Sequence, residues 1–417
     1  MKENYYHENF EDLESRLLDY VNKFSFPRLA GTEGEKKAVK MTINTFENLG
    51  FTKDQILTQN FKFSTFYSEE LIKIIGLMNI IIILILLLIK YLFPFFVIIV
   101  IGIIIIVFFS MLKVLKHPEL AGFWEKHFGS IVTATNIFIK VPAKNMLSNK
   151  AANLVVSAHL DSKSQTFKTV WRVIFISIWE IGIIIFIFLI TFFLIDLYFN
   201  LFKSILLILE ISTIIISCLV IFSIFMVFLI KTGNNSFGSL DNASGMSLIF
   251  ELSSIFKNNP LNNYNIWFCQ FSAEEIGTIG SRVFVDTFKD EFLQNRLYQI
   301  NFDMVSCKNH ENRVEYIKSY GILPRKKSSS LLILNVNEIA EEEHIQVYGH
   351  TLLSGAHTDS VPFHLLNLET IDFSTPVAAK YSHSNRDQPA KVNPSVLFET
   401  LIIAKKLVLR LDKSYNH

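Results

Sequence analysis

Asn153-Leu154-Val155-Val156-Ser157-Ala158-His159-Leu160-Asp161 is a short apolar run that ends in an imidazole and a carboxylate. A run of this length, bounded by polar residues, reads as a buried strand, which puts His159 at its carboxyl end. Working outward, residues 266–271 repeat the pattern, with Glu274 and Glu275 just beyond, and residues 298–302 repeat it again, ending in Asp303. Asp241-Asn242-Ala243-Ser244-Gly245 reads as a turn into a helix over 246–256, since Asp and Asn commonly cap helices. Polar groups at the carboxyl ends of successive strands are where an open α/β sheet places its site.

The side-chain chemistry points to zinc, which takes imidazole nitrogen and carboxylate oxygen. His159 with Asp161, Asp241, the Glu274-Glu275 pair, Asp303 and His383 supply the donors, and two histidines with three carboxylates would suit a pair of ions about 3.5–4 Å apart. Each residue alone has a plainer reading. Glu274-Glu275 could open a helix, where the dipole favours negative charge. Asp303 could simply end a strand, and His383 competes with ten other histidines, among them His350, His357 and His364. Their joint order is what the separate readings leave unexplained.

That order resembles the zinc aminopeptidase and glutamate carboxypeptidase family (peptidase family M28, clan MH). The resemblance begins at Phe26-Pro27-Arg28-Leu29-Ala30-Gly31-Thr32-Glu33-Gly34-Glu35 and continues through Ser157-Ala158-His159-Leu160-Asp161-Ser162 and Gly238-Ser239-Leu240-Asp241-Asn242-Ala243-Ser244-Gly245. It then takes in Ser272-Ala273-Glu274-Glu275-Ile276-Gly277 with Gly280-Ser281, Asn301-Phe302-Asp303-Met304, residues 359–363, and Ser382-His383-Ser384 with Asp387. It implies an α/β fold, a mixed β-sheet flanked by helices, and two Zn2+ ions per chain. Asp241 would bridge the ions, Glu275 and His383 would complete one site, and His159 and Asp303 the other. Glu274 would be the general base, and Asp161 would orient the His159 ring. The implied activity is hydrolysis of peptide bonds, most simply as an aminopeptidase on a peptide substrate. Many relatives carry Asp-His before the Pro-Phe of a late loop, whereas this chain has Thr358-Asp359-Ser360-Val361-Pro362-Phe363. Asp359 is then the matching acid, with substrate-side contacts left open; His357 is a weaker stand-in. A single-zinc glutaminyl-cyclase-like acyltransferase and a non-catalytic receptor or scaffold are the alternatives; the complete ligand set and the Glu-Glu pair weigh against both.

Composition adds a second theme. The chain is 50% hydrophobic with 39 Phe, and the apolar residues concentrate in 74–112 and 173–230. A membrane-spanning helix needs about 20 apolar residues, so each block fits two passes. The expected organisation is a peptidase domain made of residues 1–71, 113–172 and 231–417, interrupted by inserted transmembrane helical hairpins at 72–112 and 173–230. Both hairpins return the chain to the side it left, placing the site close to a lipid bilayer. The flanking cations on that side are Lys73, Lys113, Lys116, Lys168, Arg172 and Lys231, against Lys90 and Lys203 opposite. That asymmetry favours an integral membrane protein of four spans with a cytoplasmic catalytic domain. The polar start, residues 1–20, has no apolar core of a cleavable signal. Glu180 and Glu210 fall inside expected spans and read as protonated groups bonded within the bundle, or as contacts to a partner or headgroups.

A net charge of +1 leaves no basic footprint for nucleic acid. Cys218, Cys269 and Cys307 lack metal or redox spacing and read as buried structural thiols. Residues 325–330 read as a polar surface loop, and Glu341-Glu342-Glu343 as a solvated helix face.

Overall fold

A computed structural model describes residues 10–66, 70–92, 94–115, 129–145, 151–308, 311–321, 326–352 and 357–415. Lys116, Arg325 and residues 1–9 lie outside the described residues. The main helices in chain order are α1 (Phe10–Phe24), α2 (Glu33–Asn48), α3 (Leu71–Leu92), α4 (Pro94–Leu115), α5 (Thr169–Phe199), α6 (Leu206–Phe228), α7 (Ser244–Asn258), α8 (Ile279–Gln294), α9 (Ser330–Glu343), α10 (Val361–Leu365) and α11 (Pro394–Lys413). Nine strands form one sheet: β1 (Ile56–Ser64), β2 (Ile131–Val141), β3 (Ala152–His159), β4 (Tyr264–Phe271), β5 (Leu297–Phe302), β6 (Val314–Tyr320), β7 (Lys326–Lys327), β8 (Val347–Leu352) and β9 (Glu369–Phe373).

The sheet runs β1-β2-β4-β3-β5-β9-β6-β8, with β7 beside β6. It is mixed: β3 pairs parallel with β4 and β5, and β5 with β9, while β2 and β6 pair antiparallel with β4 and β9. The register sets His159 opposite Phe271 and Ala158 opposite Phe302, so the three central strands end at one level. Strands β3, β4 and β5 are buried along their whole lengths, which is why they read as continuous apolar runs rather than alternating ones. Residues of α1, α7 and α11 pack on one side in a large cluster with Leu154, Val156, Ile266, Phe268 and Ile300, while Phe138, Val155, Trp267, Phe284 and Phe292 make a second cluster.

By its internal contacts the chain divides into two compact units, Met1–Phe63 with Ile131–Lys168 and Gly233–His417, and Ser64–Ser130 with Thr169–Thr232. The second unit contains helices α3 to α6 around a core of Ile83, Leu86, Phe186, Ile190, Val220 and Ile224. Small residues let these helices approach: a Cβ added at Gly182 would lie 2.4 Å from Val220 Cγ2. Asp196 closes the turn between α5 and α6, its Oδ1 accepting from Phe202 N at 2.5 Å. Three helical segments are long and apolar enough to cross a membrane, Leu71–Leu88, Thr169–Asp196 and Lys203–Phe228; within α4 the described apolar stretch is Phe96–Ile106.

Two expectations are corrected. Cys269 and Cys307 are buried, but Cys218 is exposed, because α6 turns Ser217 and Val220 inward and Cys218 outward. The polar stretch after residue 325 is not a free loop. Lys326–Lys327 pairs with Ser319 and Tyr320, and the Ser329 hydroxyl caps α9 by accepting from Leu332 N at 3.3 Å. Glu180 is exposed on α5 and Glu210 half-buried on α6.

Candidate metal centre

Most of the candidate ligand side chains are delivered from the end of a strand or the entry to a helix. His159 is the last residue of β3, Glu274 and Glu275 follow β4, Asp303 follows β5, and Asp241 sits in the turn Ser239–Ala243 that enters α7. His383 lies in the loop beyond β9. Three residues of this region adopt left-handed backbone without being glycine: Ala273 (φ 58°), Met304 (φ 54°) and His383 itself (φ 58°). Such conformations are strained and cluster at functional sites.

The five candidate ligands converge as two groups sharing one carboxylate. His159, Asp241 and Asp303 form one, and Asp241, Glu275 and His383 the other, with ligand atoms in each within 4.8 Å of one another. Asp241 Oδ1 is 3.1 Å from His159 Nε2, and Asp241 Oδ2 is 3.2 Å from His383 Nε2. Asp303 Oδ1 lies 3.4 Å from His159 Nε2, and Glu275 Oε2 lies 2.9 Å from His383 Nε2. The donor set fits zinc, and the arrangement leaves ligand capacity unspent: Glu275 Oε1 is buried with no hydrogen-bond partner.

The surrounding shell fixes these positions. Asp161 accepts from Glu274 N (3.1 Å) and Glu275 N (3.3 Å), so its carboxylate holds the Glu-Glu turn. The His159 ring meets Asp161 twice, Nδ1 lying 3.1 Å from its carbonyl oxygen and 3.6 Å from Oδ1. Asp387 plays the matching part for the other turn, accepting from Leu240 N at 2.6 Å and Asp241 N at 3.2 Å. Asn242 donates to Phe302 O at 2.7 Å, and Gly245 packs so closely there that a Cβ would lie 2.6 Å from the same oxygen.

Two cations complete this shell, neither of them assigned a role by the sequence alone. Arg28 is fully buried and donates to the carbonyls of Leu160, Phe24, Phe26, Phe237 and Gly238, tying the segment before α2 to the loops after β3 and before α7. Lys163 donates to Glu275 O at 2.7 Å. The Arg28 motif position was visible, but its partners are backbone carbonyls scattered along the chain, which no spacing encodes.

The electrostatics are those of a buried cluster of carboxylates and imidazoles. Burial pushes the Asp303 carboxyl up to about 6, against the pull of His159. Burial also raises Glu274 well above the usual carboxylate range, with Asp303, Glu275 and Asp359 adding to it. Glu275 resists the same burial and its neighbour Asp241, because His383 and Lys163 hold it at about 2. His159 is raised well above its ordinary value: burial opposes this, but Asp161, Asp241 and Asp303 outweigh it. Asp359 is buried, pushed by burial up to about 7, and neither of its carboxylate oxygens has a hydrogen-bond partner; the Ser281 hydroxyl beside it donates to Thr278 O instead. His357 is exposed and belongs to neither group.

Comparison with known proteins agrees with this picture. The model of peptidase family M28 matches residues 225–408. Aminopeptidase YwaD of Bacillus subtilis (strain 168) is 28% identical over 136 residues, which is 33% of this chain and 28% of that protein. The chain thus matches little more than a quarter of that relative's length. Among solved structures, a zinc aminopeptidase from Bacillus subtilis superposes with TM-score 0.55 at 13% identity, covering 98% of this chain and 96% of that one. A glutaminyl cyclase from an Acidobacteriales bacterium gives 0.52 at 12% identity, covering 97% and 94%. These two likenesses establish the fold. In residues 225–408 the chain is thus similar to peptidase family M28, and the two histidine-carboxylate groups lie at the carboxyl ends of the central strands.

Proposed function

We propose that the protein is a membrane-bound di-zinc aminopeptidase that hydrolyses the first bond of a peptide substrate. The observation that carries this reading is Asp241, whose two carboxylate oxygens face different histidines, His159 at 3.1 Å and His383 at 3.2 Å, as a carboxylate bridging two ions requires. His159, Asp241 and Asp303 would hold one zinc, and Asp241, Glu275 and His383 the other. Zinc bound there would supply a Lewis acid and a water acidified to react near neutral pH.

The chain's own groups do the rest. Glu274 is buried, and burial with its acidic neighbours makes it a willing proton acceptor. It takes the proton from the water attacking the substrate carbonyl and passes it to the leaving amine. Asp161 holds the Glu274 amide, and so fixes where that carboxyl stands. Aminopeptidase rather than carboxypeptidase action is supported by the relatives, several of which carry that name.

Three helices long and apolar enough to cross a bilayer, Leu71–Leu88, Thr169–Asp196 and Lys203–Phe228, support membrane insertion; two hairpins at residues 72–112 and 173–230, four spans in all, would leave residues 1–71, 113–172 and 231–417 to form one peptidase domain, for which the flanking cations favour the cytoplasm. A single-zinc cyclase remains the second reading, favoured by the glutaminyl cyclase likeness. Zinc per chain on detergent-purified protein, with hydrolysis of an aminoacyl-amide panel and a Glu274→Gln control, separates the two. Two zincs and turnover abolished by the substitution are expected; one zinc with cyclisation of an amino-terminal glutamine would overturn the proposal.

A further inference from the structure

Among the described residues a lysine sits on only one of the two ligand groups. Lys163 is buried, donates to the Glu275 carbonyl oxygen at 2.7 Å, and lies 3.0 Å from Glu275 Oε2. That same Oε2 is the atom facing His383 Nε2 at 2.9 Å. Asp303 and Asp241 face only histidines, and no lysine or arginine nitrogen forms an ion pair with either among the described residues. An ion held by Asp241, Glu275 and His383 must therefore share its glutamate carboxylate with a fixed ammonium, while the Asp303 carboxylate of the other group has no such ion pair among the described residues.

Resting on the two-zinc reading above, we propose that Lys163 makes the sites unequal, so that zinc fills the His159 group first and the His383 group only at higher concentration. The physical basis is like-charge repulsion at short range inside a buried site, where screening by water is weak. Lys163 cannot easily swing away, because its second bond, to the Glu275 carbonyl, anchors it beside the carboxylate. The unpartnered Glu275 Oε1 gives the side chain an oxygen to offer a metal without breaking the lysine contact, so both can bind at once, at reduced affinity. Lys163 is thus a positioning residue that sets the zinc concentration at which the second site loads.

The test is a zinc titration of the detergent-purified, chelator-stripped full chain against a competing chromogenic chelator. The wild-type protein should bind in two steps at least tenfold apart; His383→Ala should remove the weaker step and His159→Ala the tighter one. Lys163→Met should tighten the second step at least tenfold and merge the two, while Lys163→Arg keeps them apart. Lys163→Gln provides a second neutral variant should the methionine protein fail to fold, which circular dichroism reads directly. A second step left unchanged or weakened in the neutral variants overturns the proposal, as does a wild-type protein whose two steps coincide. A wild-type chain that takes up no zinc overturns the two-zinc reading itself, a result that the single-step pattern would not mimic.

Discussion

Asp161→Asn is the substitution that discriminates most sharply between a loop-holding carboxylate and a bystander. The Asp161 carboxylate accepts from two backbone amides, Glu274 N at 3.1 Å and Glu275 N at 3.3 Å, and Oδ1 stands 3.6 Å from His159 Nδ1. An asparagine keeps one acceptor oxygen and turns an NH2 toward the second amide, so one charge-assisted bond is lost and two donors face each other. A hydrogen bond to a charged group contributes about 1.5–3 kcal/mol, and a buried donor left unmet costs about 1–3 kcal/mol, so a loss of about 2.5–6 kcal/mol of stability is expected. The altered turn carries both Glu274 and Glu275, and the His159 ring loses a neighbouring charge. Zinc affinity should therefore fall by about 10- to 100-fold, the usual effect of removing a group that orients a ligand. Chelator-competition titration and urea denaturation of the zinc-free protein measure the two effects separately. Zinc affinity within twofold of wild type, in a protein destabilised as expected, would refute the reasoning about the ligands; no change in either would refute the reading of the hydrogen bonds themselves.

Arg28→Met should cost about 5 kcal/mol, at about 1 kcal/mol for each of the five carbonyls it leaves, enough to threaten folding altogether; urea denaturation showing a loss under about 1 kcal/mol would contradict this. His350 has its pKa lowered to about 4 by burial, helped by Arg313 and Lys318. Between about 6.5 and 4 the unfolded chain binds the extra proton, so stability is lost as pH falls through that window, by up to about 2 kcal/mol at pH 5. His350→Gln should flatten that slope in melts compared at pH 5 and 7.5. Without metal, His159 and His383 hold their protons more tightly than ordinary histidines: burial opposes this, and His159's carboxylate neighbours and Glu275 beside His383 outweigh it. Zinc requires neutral imidazoles, so binding at pH 7 should release protons and weaken as pH falls, which calorimetry in buffers of different ionisation enthalpy will detect.

Part of the order of candidate ligands along the chain was legible because His159, Glu275 and Asp303 sit at or just beyond the ends of apolar strands, and burial on both faces makes such strands conspicuous in sequence. Strands β3, β4 and β5 were found within a residue or two of their observed ends, and with them His159, Glu274, Glu275 and Asp303. The apolar blocks were equally plain, since α3, α5 and α6 are long helices rich in apolar residues on every side. Other features were not written locally. The exposure of Cys218 depends on which face of α6 packs inward, and in a helix apolar on every side no periodicity marks that face. The pairing of Lys326–Lys327 needs a neighbouring strand edge that composition does not announce.

The sequence by itself determined the candidate ligand types and the elements that carry them, because residue type and strand pattern are properties of neighbouring residues. Only the tertiary structure decided that Asp241 divides its two oxygens between His159 and His383, that Arg28 gathers five carbonyls, and that Lys163 rests on Glu275. These depend on side chains from distant segments meeting at fixed distances, and the register of a buried sheet, not the spacing of residues along the chain, sets those distances.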